Sequence, residues 1–362
     1  MKRLWQRLFA SRVAPARARA PVAAGTAATA SVPMAASATT ESETPLPALP
    51  LHTIEDRFHR LVLGLPPVAD DADSATPAEL ALLKRLGALA SRFDVRSLPR
   101  LPVVLPQLLR ELKNDRAGGG QLAALVGRDP VLVGEVMRVT GSAHYRTAQP
   151  IHSVQHAVVL LGQEGLRRVA TQHVMKPILQ ASAGMRGHMA GPTLWEHAER
   201  SAHACAWLGR TNGCEPFEAY LAGMVCRTGT GAIVRLLDQE APTSPESLSP
   251  AFSPAFLAEC MRLGVQLSSR AATWWELPAG VIRALAEQAE GTATRSPLGK
   301  ALLCADALAM VQLLGERQLL PELADDDAPD YSHAWPESFK PPVLLRCQQD
   351  LRRHFQHKAN AG

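Results

Sequence analysis

The spacing of apolar residues constrains the fold of this chain more than any other feature. Apolar side chains recur three and four positions apart over long stretches, which places them on one face of an α-helix. Few stretches alternate apolar and polar residues, as half-buried β-strands would require. The sequence therefore predicts an all-α protein. The best-defined helical segments are approximately residues 104–115, 119–127, 130–141, 153–162 and 163–180.

Prolines mark where several helices are expected to start. Proline is tolerated at the first helical position, and the residue before it can cap the open amides. Asp129-Pro130 and Ser296-Pro297 fit this rule well. Weaker examples are Gly191-Pro192, Glu215-Pro216 and Leu277-Pro278.

Helix breaks are expected where glycine, proline and small polar residues cluster. These segments are residues 117–120, 229–231, 241–254 and 321–342.

Charge is distributed unevenly along the 362 residues. The net charge is +4, yet residues 1–40 contain six basic residues and no acid, so the rest of the chain carries a net charge of −2. A folded body that is not basic offers no general electrostatic attraction for nucleic acid. We therefore expect no specific nucleic-acid partner.

The two ends differ from the helical middle. Residues 1–50 begin with basic residues and continue in Ala, Pro, Thr and Ser, which predicts a disordered leader. A basic amphipathic helix over the first eleven residues, suited to weak association with an anionic membrane surface, is the alternative, but an unstructured tail is favoured. Residues 51–95 predict a helical lead-in, and residues 316–362 predict a loop followed by a basic C-terminal helix.

Cysteine usage and hydropathy indicate a cytoplasmic setting. The six cysteines form no CxxC pair or zinc-ribbon spacing, and most lie in apolar helical patterns, as expected of buried thiols in a reducing compartment. No continuous apolar run reaches the roughly 18 residues of a membrane-spanning helix. No apolar block typical of a secretory signal follows the basic N-terminus.

A family resemblance enters at residues 129–169, DPVLVGEVMRVTGSAHYRTAQPIHSVQHAVVLLGQEGLRRV. The Pro-headed helix, the small-residue turn GSAHY, the Ile-x-Ser start and the Ala-Val-x-Leu-Leu-Gly helix end resemble the HD-related output domain, HDOD, a bacterial signalling family. The resemblance continues in LWEHAERSAHACAWLGR, FEAYLAGMVCRTG, WWELPAGVIRALAEQ and LLCADALA. It implies an HDOD-like domain over residues 96–315, with an N-terminal bundle at 98–185 and a degenerate HD-like bundle at 190–315.

The wider superfamily of HD phosphohydrolases, which HDOD resembles, holds a divalent metal with His and Asp side chains. By this resemblance, His197 occupies the position of the first His ligand and Asp306 that of the last Asp. The adjacent His-Asp pair falls on Cys226-Arg227, and the later His pair falls near Gln288. These residues therefore mark a vestigial metal site, for which we expect no bound metal or other cofactor and no catalytic residue.

Arg227 is the strongest reason for that expectation. A guanidinium group remains charged, so it replaces an attractive anion by a permanent cation at the position nearest the metal. At about 4 Å and an effective dielectric near 20, each such interaction is on the order of 4 kcal/mol. We therefore predict an ion pair between Arg227 and Asp306. Cys226, His197 and Asp306 would offer only three mixed donors, so Cys226 is expected to be a buried structural thiol.

Four arginines form a separate candidate site. Arg167 and Arg168 follow a Gly-containing turn and, together with Arg128 and Arg138, could bind a phosphate-bearing ligand or a partner. Solvated charges near helix ends are the favoured alternative. The resemblance implies pathways that use cyclic dinucleotides, which makes a cyclic dinucleotide one candidate ligand.

Taken with the resemblance, the residues favour a non-catalytic output or adaptor protein of bacterial signal transduction that acts through protein–protein interaction. Two alternatives remain open from the sequence: a metal-dependent phosphohydrolase with a rearranged ligand set, and a nucleotide-sensing regulator that uses the arginines near Arg167.

Overall fold

Helices account for all the regular secondary structure in the described part of the chain. The computed structural model describes residues 50–67, 74–94, 119–142, 151, 153–180, 185–240, 252–320 and 339–359. No strand occurs among these residues, which confirms the predicted all-α class. The predicted leader and the predicted helix at 104–115 lie outside the described residues, apart from Pro50.

We number the described helices in chain order. They are α1 (Leu51–Leu63), α2 (Pro77–Arg92), α3 (Gly119–Val126), α4 (Pro130–Thr140), α5 (Val154–Gln180), α6 (Met185–Thr211), α7 (Pro216–Val225), α8 (Thr228–Glu240), α9 (Pro254–Trp274), α10 (Ala279–Glu290), α11 (Pro297–Glu316) and α12 (Pro341–Ala359).

Side-chain caps explain several helix starts. The Asp129 carboxylate accepts hydrogen bonds from the backbone N–H groups of Val131 and Leu132, and the Ser296 hydroxyl accepts one from Gly299. Glu215 caps α7 in the same way. Each cap satisfies amide groups that have no partner within the helix, which stabilises the helix by about 1 kcal/mol. The structure adds an equivalent start at Ser253-Pro254, inside a segment expected to be a helix break.

Gly191-Pro192 was wrong as a predicted helix start. Helix α6 begins at Met185, and Pro192 lies inside it. A Cβ atom on Gly191 would lie 3.1 Å from the Cα and carbonyl oxygen of Gln180, at the end of α5. Glycine is needed here because two helix backbones approach closely, which is a tertiary requirement and not a start signal. Similarly, Pro278 precedes α10 as its N-cap, and Ala279 is the first helical residue.

The predicted break at residues 229–231 was also wrong, because α8 begins at Thr228 and continues through this Gly-Thr-Gly segment. A Cβ atom on Gly229 would collide with the carbonyl oxygen of Gly264 in α9. The Gly229 N–H donates to the Ser268 hydroxyl at 2.8 Å. The glycine therefore allows close packing of two helices.

Helix α5 joins two segments predicted as separate helices. The bend falls at Gly162, whose φ of 64° lies in the left-handed region that glycine adopts readily. The boundary expected between residues 162 and 163 is thus present as a kink within a longer helix.

Helix α6 is the central element of the body. It packs against α7, α8 and α11, and α5 joins it to the N-terminal helices α3 and α4. The lead-in helices also pack on the body, since α1 contacts α6, α9 and α11 and α2 contacts α8 and α9. Helix α12 lies against α6 and α11.

Helix α11 runs through the core of the bundle. Of the described helices, it alone is long and apolar enough to cross a membrane, and 83% of its most apolar window is buried within the protein. A core helix of this kind has the same length and composition as a membrane span, so α11 is weak evidence for one.

Candidate functional site

Cys226 and Arg227 lie in the tight turn between α7 and α8, at the centre of the bundle. Cys226 is fully buried and Arg227 is 4% exposed. Helix α7 reaches this depth because Gly223 packs directly on the backbone of Ser201 in α6, where a Cβ atom would overlap Ala202 and the Ser201 carbonyl. The close crossing of α6 and α7 carries the turn to the side chains of α11.

The predicted ion pair between Arg227 and Asp306 is confirmed. The Nε of Arg227 donates to Oδ1 of Asp306 at 3.1 Å, and an Nη donates to Oδ2 at 2.7 Å. This two-point geometry is the strongest arrangement of a guanidinium and a carboxylate. Asp306 is only 4% exposed, so water does not screen the pair.

Two further predicted residues bind the same carboxylate. The Nε2 of His197, from α6, lies 3.1 Å from Oδ1 of Asp306. The amide of Gln288, from α10, donates to Oδ2 at 3.0 Å. The structure thus brings together His197, Arg227, Gln288 and Asp306, and each carboxylate oxygen has at least two hydrogen-bonding partners.

The Cys226 thiol is buried beside the Asp306 carboxylate. It donates to the Gly223 carbonyl at 3.2 Å and lies 3.8 Å from Oδ1 of Asp306. Burial, together with the charge of Asp306, raises the pKa of the Cys226 thiol far above its usual range. The side chain is therefore a neutral thiol, without the nucleophilic character of a thiolate.

Helix α1 supplies residues that the sequence analysis did not assign to the site. The Phe58 ring lies 4.9 Å from the His197 ring, centroid to centroid, and the Arg227 guanidinium lies over Phe58 at 5.8 Å. The Nε2 of His59 lies 3.4 Å from an Nη of Arg227. The apolar face of α1 was visible in the sequence, but no spacing rule connects residues 58 and 59 to a turn almost 170 residues later.

The charges of the site are strongly coupled. Burial by itself would raise the pKa of Asp306, but Arg227 and the hydrogen bond from His197 hold it well below its usual range. Burial and the positive charge of Arg227 lower the pKa of His59 to about 3, so this imidazole is neutral near pH 7. Burial raises the pKa of Glu55, also in α1, and the negative charge of Asp306 adds to that increase.

Three of these side chains carry donor atoms of the kinds that bind divalent metals. Donor atoms of His197, Cys226 and Asp306 lie within 4.8 Å of one another. The donor set nevertheless fits a metal poorly, because Arg227 and Gln288 donate to the carboxylate oxygens that would face the ion. A cation would also meet the fixed positive charge of Arg227 and a protonated thiol, whereas metals bind the thiolate form.

The four arginines of the second candidate site occupy different environments. Arg167 lies over the Phe217 ring and Arg168 over the Tyr220 ring, both in α7. Arg128 lies in the turn that precedes α4, whereas Arg138 lies in the last turn of that helix. Arg138 is exposed and pairs with Glu135. A nucleotide site at these residues stays a prediction.

Fold and site together define an all-helical bundle in which an arginine is paired with a buried aspartate at the centre. The HDOD domain matches residues 98–290 of this chain. The chain therefore belongs to the HDOD family, as the sequence resemblance had indicated.

Comparisons with other proteins agree on the fold. A candidate metal-dependent phosphohydrolase from Shewanella amazonensis has 17% identity and a TM-score of 0.51, with 77% of this chain and all of that chain covered. An HDOD domain protein of unknown function from Geobacter sulfurreducens has 19% identity and the same TM-score, with 77% and 97% covered. At such identities, these similarities show the fold alone.

One relative among curated proteins is an uncharacterized protein from Treponema pallidum. It is 24% identical over 214 residues, which cover 56% of this chain and 39% of that protein. The chain thus spans about two fifths of the length of this relative.

Proposed function

We propose that this protein is a non-catalytic output or adaptor module of bacterial signal transduction, which acts by binding another protein. Membership of the HDOD family supports a signalling role. The observation that carries the non-catalytic part is the two-point pairing of Arg227 with Asp306, the residue that the resemblance assigns to a metal ligand.

The chemistry of hydrolysis explains why this pairing matters. Metal-dependent hydrolases need a cation that stabilises hydroxide near neutral pH, and the cation needs anionic or imidazole donors. Asp306 is the only acidic member of the candidate donor set, and its negative charge is neutralised by a guanidinium that does not lose its proton. A metal would have to displace Arg227 and leave that cation buried without its partner, which costs several kcal/mol.

A metal-dependent phosphohydrolase is the second candidate function. The proximity of His197, Cys226 and Asp306 favours it, since their donor atoms lie within 4.8 Å. It requires Arg227 to leave Asp306 and Cys226 to lose its proton.

Elemental analysis and a hydrolysis assay separate the two candidates. We expect full-length protein purified with Mn²⁺, Fe²⁺ or Zn²⁺ in the medium to contain far less than one ion per chain and not to hydrolyse bis(p-nitrophenyl) phosphate. The variant Cys226→His/Arg227→Asp serves as a comparison, because it restores an imidazole and a carboxylate at these positions. Stoichiometric metal in the wild-type protein, lost in His197→Ala together with hydrolysis, would show that the protein is an enzyme.

A further inference from the structure

The C-terminal helix α12 forms a continuous surface with the second half of α6. His203 of α6 lies 2.7 Å from a carboxylate oxygen of Asp350, and its ring lies 4.2 Å from that of His354. The Cys347 thiol faces the carbonyl of Ala204. Since residue numbers rise along α12 as they fall along α6, the two helices run antiparallel.

Basic residues of α6 and α12 surround the His203–Asp350 contact. Arg346 and Arg353 flank Asp350 on the same face of α12, one turn before and one turn after it. Arg210 lies on the exposed side of α6, and it lowers the pKa of His203 together with Arg168, although burial of the imidazole is the larger cause. We name Arg210, Arg346 and Arg353 the basic α6–α12 surface.

These cations have few acidic partners. No acid pairs with Arg210 or Arg346 among the residues that the structure describes, and Arg353 lies 3.9 Å from Asp350 with 73% of its side chain exposed. The acids near this surface are engaged or buried: Asp350 is bonded to His203, Glu316 is bonded to Arg200, and Glu199 is 9% exposed. The surface is therefore strongly positive, although residues 41–362 have a net charge of −2.

We propose that the basic α6–α12 surface binds an acidic helical segment of a partner protein. Arg346 and Arg353 are seven residues apart, which corresponds to about 10 Å along the helix. Two carboxylates one heptad apart on a facing helix would match them. Asp350 lies between the two arginines, so the partner would place a basic or amide side chain there.

Other anionic partners fit this pattern less well. A membrane-bound helix inserts an apolar face, but the apolar side of α12 is already buried against the body through Leu344, Cys347, Leu351 and Phe355. Nucleic acid presents a continuous row of phosphates, one of which would oppose Asp350. An acidic helix can place its charges one by one, and electrostatic matching of this kind sets specificity and association rate.

Fluorescence anisotropy with full-length protein tests the surface directly. The probe is a labelled synthetic helix with glutamates seven residues apart and a lysine between them. An isomer with the same composition, whose glutamates are dispersed around the helix, controls for net charge. We expect Arg346→Glu/Arg353→Glu to weaken binding of the patterned peptide about tenfold or more. The dispersed isomer should bind weakly to both proteins.

A matched variant controls for charge on the protein, including that of the basic leader. Lys84→Glu/Arg92→Glu makes the same change in net charge at two exposed basic residues of α2, and it should bind the patterned peptide like wild type. Circular dichroism checks that each variant is folded. Equal losses in both double variants, or no binding by wild type, would overturn the proposal.

Competing occupants are distinguished in the same assay. Loss of binding to anionic phosphatidylglycerol vesicles or duplex DNA in Arg346→Glu/Arg353→Glu, with peptide binding unchanged, would assign the surface to another class of partner. Tighter peptide binding by Asp325→Asn/Asp326→Asn/Asp327→Asn would identify this chain's own acidic segment as the occupant and would overturn the partner proposal.

This inference rests on the proposed function only in that the protein acts through protein contacts. The peptide assay does not involve the Arg227–Asp306 site. Bound metal and hydrolysis would refute the proposed function and leave the peptide result standing, whereas absence of peptide binding would refute only the surface.

Discussion

At the scale of single residues, the environment of Asp306 decides what this carboxylate can do. Its oxygens receive hydrogen bonds from Arg227, His197 and Gln288, so its charge is neutralised without a metal. The pairing with Arg227 could be predicted because the resemblance placed Asp306 and this permanently charged residue at the same site. It did not show Phe58 and His59 of α1, which complete the surroundings of Arg227.

Removal of Arg227 should be costly. Arg227→Met leaves the buried carboxylate of Asp306 without its main partner, and we expect a loss of about 3–5 kcal/mol in the free energy of unfolding, measured with urea. Arg262→Met breaks an exposed pair with Glu259 and should cost at most about 1 kcal/mol. If the two variants lose the same free energy of unfolding, the buried Arg227–Asp306 pair does not stabilise the fold more than an exposed pair does. The double variant Arg227→Met/Asp306→Leu should recover part of the loss.

His59 should make stability depend on pH. Its pKa is lowered from 6.5 to about 3 in the folded protein, chiefly by burial, so the unfolded chain binds the additional proton between these values. The stability from neutral His59 is therefore fully present above pH 6.5 and falls with decreasing pH, by about 1.4 kcal/mol per pH unit between pH 6 and 4.

The variant His59→Gln isolates this contribution, because glutamine does not titrate and its oxygen can accept from Arg227. Urea unfolding of His59→Gln should show a pH slope smaller by about one proton in this range. His156→Gln, at an exposed position, should keep the wild-type slope. Equal slopes for wild type and His59→Gln would show that His59 is not buried as a neutral side chain.

At the scale of helices, glycines at crossings place the site. Gly223 lets α7 pack on α6, and Gly229 lets α8 pack on α9, so the Cys226-Arg227 turn between them reaches the core. The local pattern predicted a break at Gly229, because the close approach that requires this glycine involves a backbone far away in the chain. Caps such as Asp129 and Ser296 were predictable, since their hydrogen bonds are local.

Gly229→Ala tests the crossing of α8 and α9. The added methyl group would meet the Gly264 carbonyl, and we expect a loss of about 2–3 kcal/mol in unfolding free energy. Gly134→Ala is the matched control, because nothing lies within 4 Å of the new Cβ in α4. That substitution should stabilise the protein by about 0.5–1 kcal/mol. Similar effects of both substitutions in thermal and urea unfolding would argue against the close crossing.

At the scale of the whole molecule, segments outside the matched residues 98–290 complete the bundle. Helix α1 packs against α6, α9 and α11 and covers the Arg227–Asp306 pair, whereas α12 packs on the outer side of α6. The predicted lead-in and C-terminal helix are thus both present as helices. Each of these helices is positioned by burial of its apolar face. The sequence shows that such a face exists but not which other helix it packs against.

The fold should not depend on metal. Because an ion pair holds the centre of the bundle, we expect the same unfolding temperature with EDTA, without additions and with excess Mn²⁺ or Zn²⁺. A rise of several degrees with one metal, absent in His197→Ala, would contradict this expectation. His188→Ala is a suitable control, since His188 is exposed.

The sequence by itself determined the helical class and several helix starts, because these depend on local spacing and residue type, and its resemblance indicated the HDOD family. Only the tertiary structure decided how α1 closes over Arg227, which glycines permit close crossings, and where the arginines of α6 and α12 meet. Those outcomes depend on contacts between residues far apart in the chain, where burial and Coulomb interactions act through space. The GTG segment after Arg227 illustrates the difference: locally it indicates a break, yet packing against α9 keeps it helical.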